Sequence, residues 1–459
     1  MINFIPLGGS EEIGANCYYL NISGTGILLD CGIHPQKTGY ESLPNFSLLN
    51  ELPLDFVLIS HAHQDHIGAL PFLIHRFPHA IIYSTNQTKE IAEVTLHNAA
   101  NILAQNSLEE TGFKIYTHEE IDLLVRSIRG INYNEPIKLN GMRHSNSFDI
   151  VGSFHDAGHI LGSAGILLEH GGKKIFYSGD INYSNQSIMI GCDLQGIRYV
   201  DILILETTYG STDSEKIGTW ATETERLTKA INRIIHGGGS VLIPVFALGK
   251  TQEILSLLYN QMQKRKLIET NIFTGGIGKE ISNLYDKNRY VTRRSDKEIL
   301  LKEIPQQNIF EVDDLSYFSK NPSIVLASSG MMLEGTTSFK LLDYWLKQHN
   351  FAVFSVGYMD SNTPGFRIIN SEKGSEVKLT EFSEPKKVNC EIKRFYFPSH
   401  SIREDLLKIV EKLNPKKVIL VHGEKNSVDW VGEKILSHFS NIKVISPING
   451  RAIPLLNHI

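Results

Sequence analysis

The sequence has few cysteines, no long apolar run and no excess of positive charge, and each absence excludes a class of protein. Its 459 residues include four cysteines far apart in the chain, so neither a thiolate zinc site nor a disulfide framework is predicted. No apolar run approaches the length that spans a membrane, and the N-terminus lacks the pattern of a signal peptide. We therefore expect a cytoplasmic protein with no membrane segment.

The charge balance limits how the protein can meet a polyanion. A formal net charge of −5 at neutral pH does not indicate a protein that binds nucleic acid through bulk electrostatics. Such a substrate would have to meet a local positive patch, helix N-termini or metal ions.

The length is sufficient for two or more domains of about 150 residues each.

Metal-binding side chains are densest between residues 61 and 66, in the sequence His-Ala-His-Gln-Asp-His. Burial of so many polar groups without partners is costly, whereas imidazoles and carboxylates are ligands of Zn²⁺ and similar ions. The spacing indicates that His61 and His63 point to one centre, while Asp65 and His66 point to a neighbouring centre.

Other polar side chains of suitable chemistry follow apolar, strand-like runs later in the chain: His159, Asp180, Glu206, His400 and His422. Sites gather at strand ends in sheet proteins with outer helices. Ligand counting then gives His61, His63 and His159 to one metal, and Asp65, His66 and His422 to a second, with Asp180 bridging them. Two cations about 3.5–4 Å apart activate a water molecule between them, which fits hydrolysis of a phosphate ester.

Some assignments stay open at this level. His155 and Asp156 rival His159 as the ligand in their loop, and position alone does not choose among them. Asp30 ends a strand, where it either supports a metal ligand or caps a turn. Four further histidines are predicted to be surface or packing residues: His75, His79, His97 and His118.

The pattern of predicted elements changes along the chain. Apolar runs separated by glycine turns predict antiparallel strands over residues 1–32. From about residue 209 to residue 384, strands alternate with helices, which predicts a separate α/β unit with a mostly parallel sheet. Strands that end in His400 and His422 follow.

Eight motifs resemble, in this order, the metallo-β-lactamase superfamily and its β-CASP branch of RNA-processing nucleases: HAHQDH, DAGHILGSA, FYSGD, ILETTYG, IPVFALGK, SSGM, PSH and ILVHGE. The resemblance covers nearly the whole chain. It implies an α/β fold, namely an αββα sandwich formed by residues 1–208 and 386–459, interrupted by an α/β β-CASP domain over residues 209–385. It also implies two zinc ions per chain.

The resemblance also implies a role for each motif residue. The metal ligands are His61, His63, Asp65, His66, His159, the bridging Asp180 and His422. Asp65, Glu206 and His400 are the implied catalytic residues, with His400 protonating the leaving group while Glu206 orients it. A histidine at the position of His422 is typical of RNA-directed members.

The implied substrate-binding residues are Lys250, Ser328, Ser329 and Gly330, the last three in a loop that holds a substrate phosphate. Lys250 stands where the family usually has arginine, so the charge is kept but a bidentate grip on phosphate is lost. Ile402 stands where the family often has aspartate.

These observations predict a zinc-dependent ribonuclease that cleaves single-stranded RNA, endonucleolytically, through a hydroxide activated by two metals, in RNA processing or decay. The alternatives are a lactamase-type hydrolase of small esters, a DNA-directed nuclease and a catalytically silent scaffold. The RNA target, 5′-exonuclease activity, the choice of zinc over manganese and the oligomeric state are left open, with a homodimer among the candidates.

Overall fold

The computed structural model describes residues 2–105 and 116–456. Contacts between Cα atoms divide the chain into two compact units. The first contains Met1–Ser184, Gly191–Ser214 and His400–Ile459, and the second contains Asn185–Ile190 and Glu215–Ser399.

The strands are numbered in chain order: β1 Ile2–Gly8, β2 Cys17–Ile22, β3 Thr25–Leu29, β4 Phe56–Leu58, β5 Ile81–Thr85, β6 Arg129–Ile131, β7 Ile137–Lys138, β8 Val151–Asp156, β9 Ala164–His170, β10 Lys173–Tyr177, β11 Ile202–Glu206, β12 Val241–Pro244, β13 Asn271–Thr274, β14 Gln307–Asn308, β15 Ser323–Ala327, β16 Ala352–Ser355, β17 Glu376–Val377, β18 Lys386–Lys387, β19 Glu391–Arg394, β20 Lys417–Val421, β21 Lys443–Ile445 and β22 Ile453–Leu456.

The α-helices are α1 Gln64–Ile67, α2 Leu70–Arg76, α3 Asn86–Gln105, α4 His118–Ser127, α5 Trp220–His236, α6 Lys250–Gln263, α7 Gly278–Lys287, α8 Tyr317–Lys320, α9 Thr337–Lys347, α10 Pro364–Ile369, α11 Arg403–Leu413 and α12 Lys425–His438. Among the described residues, no helix has both the length and the apolar character needed to cross a bilayer.

The first unit contains two seven-stranded sheets. Their strand orders are β22-β1-β2-β3-β4-β5-β6 and β21-β20-β11-β10-β9-β8-β7. Strands β1 to β3 pair antiparallel, as predicted, and β10, β11, β20 and β21 pair parallel. One apolar core contains residues of both sheets, and a second core joins the second sheet to α11 and α12. Helix α3 packs on β5 and β6 of the first sheet, which completes the predicted αββα sandwich.

Strand β11 shows how the sequence produces this layering. All five of its residues are buried, because a central strand of the second sheet is covered on both faces. Ile202 and Ile204 contribute to the core between the sheets, while Leu203 and Leu205 pack toward α11 and α12. This alternation follows from the two-residue period of a strand. Glu206 is the last residue of β11, at the end of the strand.

The second unit confirms the predicted α/β arrangement. Its six-stranded sheet has the order β14-β13-β15-β12-β16-β19, and every pair in it is parallel. Strand β19 pairs with β16, so Glu391–Arg394 joins this sheet. The compact unit therefore extends to Ser399, beyond the predicted domain boundary at residue 385. The domain assignment itself stays a prediction.

Several element boundaries differ from those predicted. The pattern over residues 387–397 predicts one strand, but the structure forms only the short strands β18 and β19 there. The pattern over residues 67–73 predicts one helix, whereas Ile67 is the last residue of α1 and α2 begins at Leu70. Strand β22 was not predicted, because its pairing with β1 joins residues from opposite ends of the chain. Thr117, followed by the acids Glu119 and Glu120, predicts the start of a helix, and α4 confirms it. The Thr117 hydroxyl accepts from the Glu120 N–H, and the Glu120 carboxylate accepts from the Thr117 N–H.

Candidate metal centre

Parallel strands bring three of the candidate residues to one edge of the second sheet. Strands β10, β11 and β20 are neighbours and run in the same direction. Asp180 follows β10, Glu206 is the last residue of β11, and His422 follows β20. Because parallel strands end at one edge, these three side chains come together there although they are far apart in sequence.

Backbone hydrogen bonds to Asn16 and Cys31 hold the histidine turn, residues 61–66, in place. His63 precedes the single helical turn of α1, which carries Asp65 and His66. The carbonyl of Asp65 accepts from the Asn16 N–H at 3.1 Å, and the carbonyl of His66 accepts from the Cys31 N–H at 2.8 Å. A Cβ atom at Gly32 would lie 1.6 Å from the Asp65 carbonyl oxygen, so only glycine permits this approach.

Four side chains form the first candidate metal group: His61, His63, His159 and Asp180. The Nδ1 atom of His63 lies 3.1 Å from His61 Nε2 and 3.2 Å from His159 Nε2. The Oδ2 atom of Asp180 lies 3.4 Å from His61 Nε2 and 3.6 Å from His159 Nε2.

Asp65, His66 and His422 form the second group. The Oδ2 atom of Asp65 lies 3.3 Å from His422 Nε2 and 3.7 Å from His66 Nε2. The other carboxylate oxygen of Asp180, Oδ1, lies 3.2 Å from His66 Nε2 and 3.3 Å from His422 Nδ1. The two oxygens of Asp180 therefore face different groups.

These distances fit two divalent cations. Tetrahedral zinc with bonds of about 2.0–2.1 Å to nitrogen separates its ligand atoms by about 3.3 Å, close to the spacing of the three imidazole nitrogens in the first group. Asp180 Oδ1 is buried and makes no hydrogen bond among the described residues. A buried carboxylate oxygen left in this way is costly unless a cation meets it.

Asp30 contacts a candidate metal ligand, His66, which favours the supporting role over the turn cap that the sequence left open. Its Oδ2 atom lies 2.8 Å from His66 Nδ1 and accepts from the hydroxyls of Ser60 at 2.7 Å and Tyr177 at 2.6 Å. A carboxylate that holds Nδ1–H fixes the imidazole tautomer and leaves Nε2 available for a metal. The hydroxyl of Ser60 also lies 3.0 Å from His61 Nδ1.

Glu206 contacts His400 and does not have a free oxygen for a metal. Its Oε1 lies 2.9 Å from His400 Nδ1 and accepts from the Ile181 N–H, while Oε2 accepts from the backbone and side chain of Thr208. Although Glu206, His400, Asp180 and His422 lie close enough to hold an ion, these contacts favour an orienting role for Glu206. His400 Nε2 lies 3.9 Å from Asp180 Oδ2, so this atom faces the centre.

The pKa directions agree with this arrangement. Burial lowers the pKa of His61 well below its usual value, and the neighbouring His66 lowers it further, which favours the neutral, metal-binding form. Burial raises the pKa of Asp180, but the imidazoles of His422 and His66 outweigh it, so the pKa falls well below its usual value. For His400, burial lowers the pKa, and the carboxylates of Glu206 and Asp180 reverse this into a rise.

His159, rather than its two rivals, joins the group. His155 Nε2 lies 2.9 Å from the Ser153 hydroxyl, and the His155 ring packs near Phe176. The side chain of Asp156 accepts from the Gly158 N–H and so shapes the loop that presents His159. The four histidines predicted to be surface or packing residues contact other groups: His75 pairs with Glu120, His79 packs near Phe77, and His97 stacks on His118.

In the second unit, Lys250 is the first residue of α6 and is buried. Its ammonium donates to the Phe397 carbonyl and lies 5.5 Å from the centre of the Trp220 ring. Burial lowers the pKa of Lys250 to about 8, against the opposing charge of Glu253.

The loop of Ser328, Ser329 and Gly330 follows β15. The Ser329 hydroxyl accepts from the Leu333 N–H, and the Ser338 hydroxyl donates to the Ser329 carbonyl. Phosphate binding by this loop and by Lys250 stays a prediction.

Three residues at or next to the centre were not found from the sequence: Asn16 and Thr208, which contact candidate ligands, and Tyr177, which donates to Asp30. The Asn16 side-chain nitrogen lies 3.0 Å from both the Asp65 carbonyl oxygen and His66 Nε2. Thr208 Oγ1 lies 3.0 Å from His422 Nδ1. Thr208 could have been found from the sequence, because it stands two residues after Glu206. No local sequence pattern points to Asn16.

Comparison with protein families gives three matches along the chain. A metallo-β-lactamase superfamily domain matches residues 19–206, a β-CASP domain matches 251–368, and a Zn-dependent metallo-hydrolase RNA specificity domain matches 385–447.

Several curated proteins are similar over almost the whole chain. An RNase J-like protein of Methanocaldococcus jannaschii is 31% identical, with 98% of each chain covered. Endoribonuclease YSH1 of Eremothecium gossypii is 29% identical over 96% of this chain and 57% of its own length. Cleavage and polyadenylation specificity factor subunit 3 of Dictyostelium discoideum is 26% identical over 99% of this chain and 57% of its own length. The chain thus spans less than two thirds of the latter two relatives.

A solved structure shares the fold. The crystal structure of a protein of unknown function from Enterococcus faecalis V583 superposes with a TM-score of 0.57 at 14% identity, covering 98% of this chain and 99% of the other. Sequence and fold comparisons thus agree with the motifs, and the chain belongs to the metallo-β-lactamase superfamily, in its β-CASP branch.

Proposed function

We propose that the protein is a ribonuclease that hydrolyses phosphodiester bonds of single-stranded RNA with two zinc ions. The observation that carries this proposal is the division of the Asp180 carboxylate, with Oδ2 facing His61 and His159 and Oδ1 facing His66 and His422. A buried carboxylate whose two oxygens face different imidazole groups suits a pair of neighbouring cations, as a two-metal hydrolase uses.

Two divalent cations would lower the pKa of a water molecule and neutralise charge on the phosphate. Around them, His61, His63 and His159 would hold one ion, while Asp65, His66 and His422 would hold the other. Cleavage of a phosphorus–oxygen bond leaves an oxygen that must take up a proton. His400 is the proposed donor, because Glu206 holds its Nδ1 atom and leaves Nε2 toward the centre.

RNA is the favoured substrate for two reasons. The domain matched at residues 385–447 is described as an RNA specificity domain, and it includes His422, the residue whose type favours RNA. Relatives named endoribonuclease support an endonucleolytic cut. The other predictions, a cytoplasmic location and a homodimer, stay predictions.

The test is cleavage of end-labelled RNA by the wild type and by Asp180→Asn, with zinc content measured on both proteins. We expect about two zinc ions per wild-type chain, a loss of at least one in the variant, and a fall in cleavage of about a thousandfold or more. His155→Gln, which changes a nearby histidine outside both groups, should keep metal and activity.

The same assay separates the alternatives. Internal fragments from RNA would support an endonuclease, whereas mononucleotides from one end would indicate an exonuclease. Equal or faster cleavage of DNA or of a chromogenic ester would overturn the RNA assignment. A wild-type chain that binds no metal would support a silent scaffold.

A further inference from the structure

A cluster of cations lies at the edge of the second sheet opposite the metal centre. We call it the basic face, and it consists of Lys173, Arg198, Lys412, Lys416, Lys417 and Lys443. Lys173, Lys417 and Lys443 begin the parallel strands β10, β20 and β21, whereas the candidate ligands follow the opposite ends of β10 and β20. A strand of five residues separates the two edges by about 17 Å.

Backbone contacts fix the members of the basic face side by side. The N–H of Lys417 donates to the Asp201 carbonyl at 3.1 Å, and the N–H of Lys443 donates to the Lys416 carbonyl at 3.0 Å. The N–H of Val200 donates to the Leu413 carbonyl at 3.2 Å, which brings the segment of Arg198 beside the end of α11, where Lys412 lies.

The positive charge of the basic face is only partly neutralised. Asp201 is buried, and its Oδ1 atom is shared between the ammonium groups of Lys416 at 2.7 Å and Lys173 at 3.7 Å. Within the described part of the chain, the exposed side chains of Arg198, Lys412 and Lys443 form no ion pair. This concentration of cations contrasts with the net charge of −5 of the whole chain.

One pair within the face is repulsive. Lys417 and Lys443 stand directly opposite each other in the parallel strands β20 and β21. Burial lowers the pKa of Lys417, and the charge of Lys443 lowers it further. Like charges at opposite positions of neighbouring strands destabilise a sheet, so a bound polyanion would relieve a repulsion that is present in the free protein.

An aromatic side chain adjoins these cations. Tyr199 is 72% exposed and has a φ of +55°, a conformation that a bulky residue rarely adopts. Exposed aromatic rings stack on bases of single-stranded nucleic acid, while neighbouring cations meet the phosphates. This combination favours a nucleic acid strand over an acidic protein.

We infer that the basic face is a second RNA-binding site, which holds single-stranded RNA away from the bond that is cut. The inference rests on the proposed ribonuclease function. RNA long enough to reach from the metal centre around to the opposite sheet edge would gain affinity from this face, whereas a short oligonucleotide at the centre would not.

The first experiment measures binding of labelled RNA to the metal-loaded protein by fluorescence anisotropy, with phosphorothioate linkages in the RNA to resist cleavage. For Arg198→Ala/Lys443→Ala and an RNA of about 30 nucleotides, we expect about tenfold weaker affinity near 0.1 M salt. The slope of log affinity against log salt should fall by about 1.4, because each lost phosphate contact contributes about 0.7 on a single strand.

The matched control is Arg126→Ala/Lys229→Ala, which also removes one arginine and one lysine. Both control residues are exposed on helices, α4 and α5, outside the basic face. The control should bind RNA as the wild type does. Equal losses in both double variants would overturn the inference, as would wild-type affinity of the Arg198→Ala/Lys443→Ala variant.

A second variant separates a binding role from a structural one. Lys443→Glu replaces the repulsive pair by an attractive one, so its melting temperature should stay equal or rise while its affinity for long RNA falls. Unfolding at lower temperature together with lost binding would indicate a structural role and overturn the inference. Competition by polyglutamate as strong as that by RNA would instead indicate a site for an acidic protein.

Cleavage then distinguishes failure of this inference from failure of the proposed function. The Arg198→Ala/Lys443→Ala variant should cut a short RNA of about six nucleotides at the wild-type rate and the long RNA more slowly at limiting concentration. A wild-type protein that neither binds nor cuts any RNA would contradict the proposed function and, with it, the second site.

Discussion

Individual residues at the centre divide into those that face the proposed ions and those that hold them in position. Asp30 is fully buried, and both of its carboxylate oxygens accept hydrogen bonds. It contacts Nδ1 of the His66 imidazole, the ring nitrogen that faces away from Asp65 and Asp180. Its role depends on charge as well as shape, because a carboxylate both fixes the tautomer of His66 and increases its basicity. A neutral isostere keeps the shape but not the charge.

Replacement of Asp30 by asparagine tests this supporting role. We expect Asp30→Asn to lower metal affinity by about 10- to 100-fold, since that is the usual effect of losing a partner of a metal-bound histidine. Zinc titration against a competing chelator measures the change. Tyr177→Phe, which removes one of the hydrogen bonds to Asp30, should have a smaller effect; a larger effect of Tyr177→Phe would contradict the charge argument.

At the scale of elements, the site depends on where strands end and on how closely loops pack. The single turn of α1 is short, and its hydrogen bonds alone do not make it stable. It is held by the segment around Gly32, whose Cα approaches the Asp65 backbone so closely that a side chain has no room. The precision of the Asp65 and His66 positions therefore comes from a neighbouring loop.

We expect Gly32→Ala to displace the turn and weaken the second metal group. An added methyl group would overlap the Asp65 carbonyl, and overpacking of this kind costs about 1–3 kcal/mol of unfolding free energy. Chemical denaturation and metal analysis measure both effects. Gly432→Ala in the middle of α12 is the control, because a Cβ atom added there would lie 3.4 Å from its nearest neighbour. This change should be neutral or stabilising. Equal loss of stability in the two variants would contradict this account.

At the scale of the whole molecule, the centre joins segments that are distant in the chain. Asp65 and His422 are in contact although 357 positions separate them. A metal at this place binds the native arrangement and not the unfolded chain, so its binding free energy adds to stability. The centre should therefore act as a cross-link of the first unit.

Metal removal tests that cross-link. We expect EDTA to lower the melting temperature of the wild type by about 5–10 °C, and zinc to restore it, because ligand at about a thousand times its dissociation constant adds about 4 kcal/mol. Differential scanning calorimetry provides the measurement. In His63→Ala the difference between EDTA and zinc should shrink; an undiminished difference would place the stabilising metal elsewhere.

Much of the fold was predictable because local patterns carry it. Apolar runs ending in polar residues located the strand ends at Asp180, Glu206 and His422, and the alternation of strands with helices predicted the parallel sheet of the second unit. The resemblance of ordered motifs predicted the αββα sandwich. The extent of β19 and the existence of β22 were not predictable, because their pairing partners lie far away in sequence.

The sequence by itself determined which side chains were available for a metal centre, since closely spaced histidines and acids at strand ends need no long-range information to be recognised. The motif resemblance already favoured His159, but only the tertiary structure showed that His155 and Asp156 contact Ser153 and Gly158 instead. Only the tertiary structure, too, placed Asp30 against His66 and brought in Asn16 and Thr208. The physical reason is that hydrogen bonds and coordination require atoms within about 3–4 Å, and packing between distant segments decides which atoms come that close.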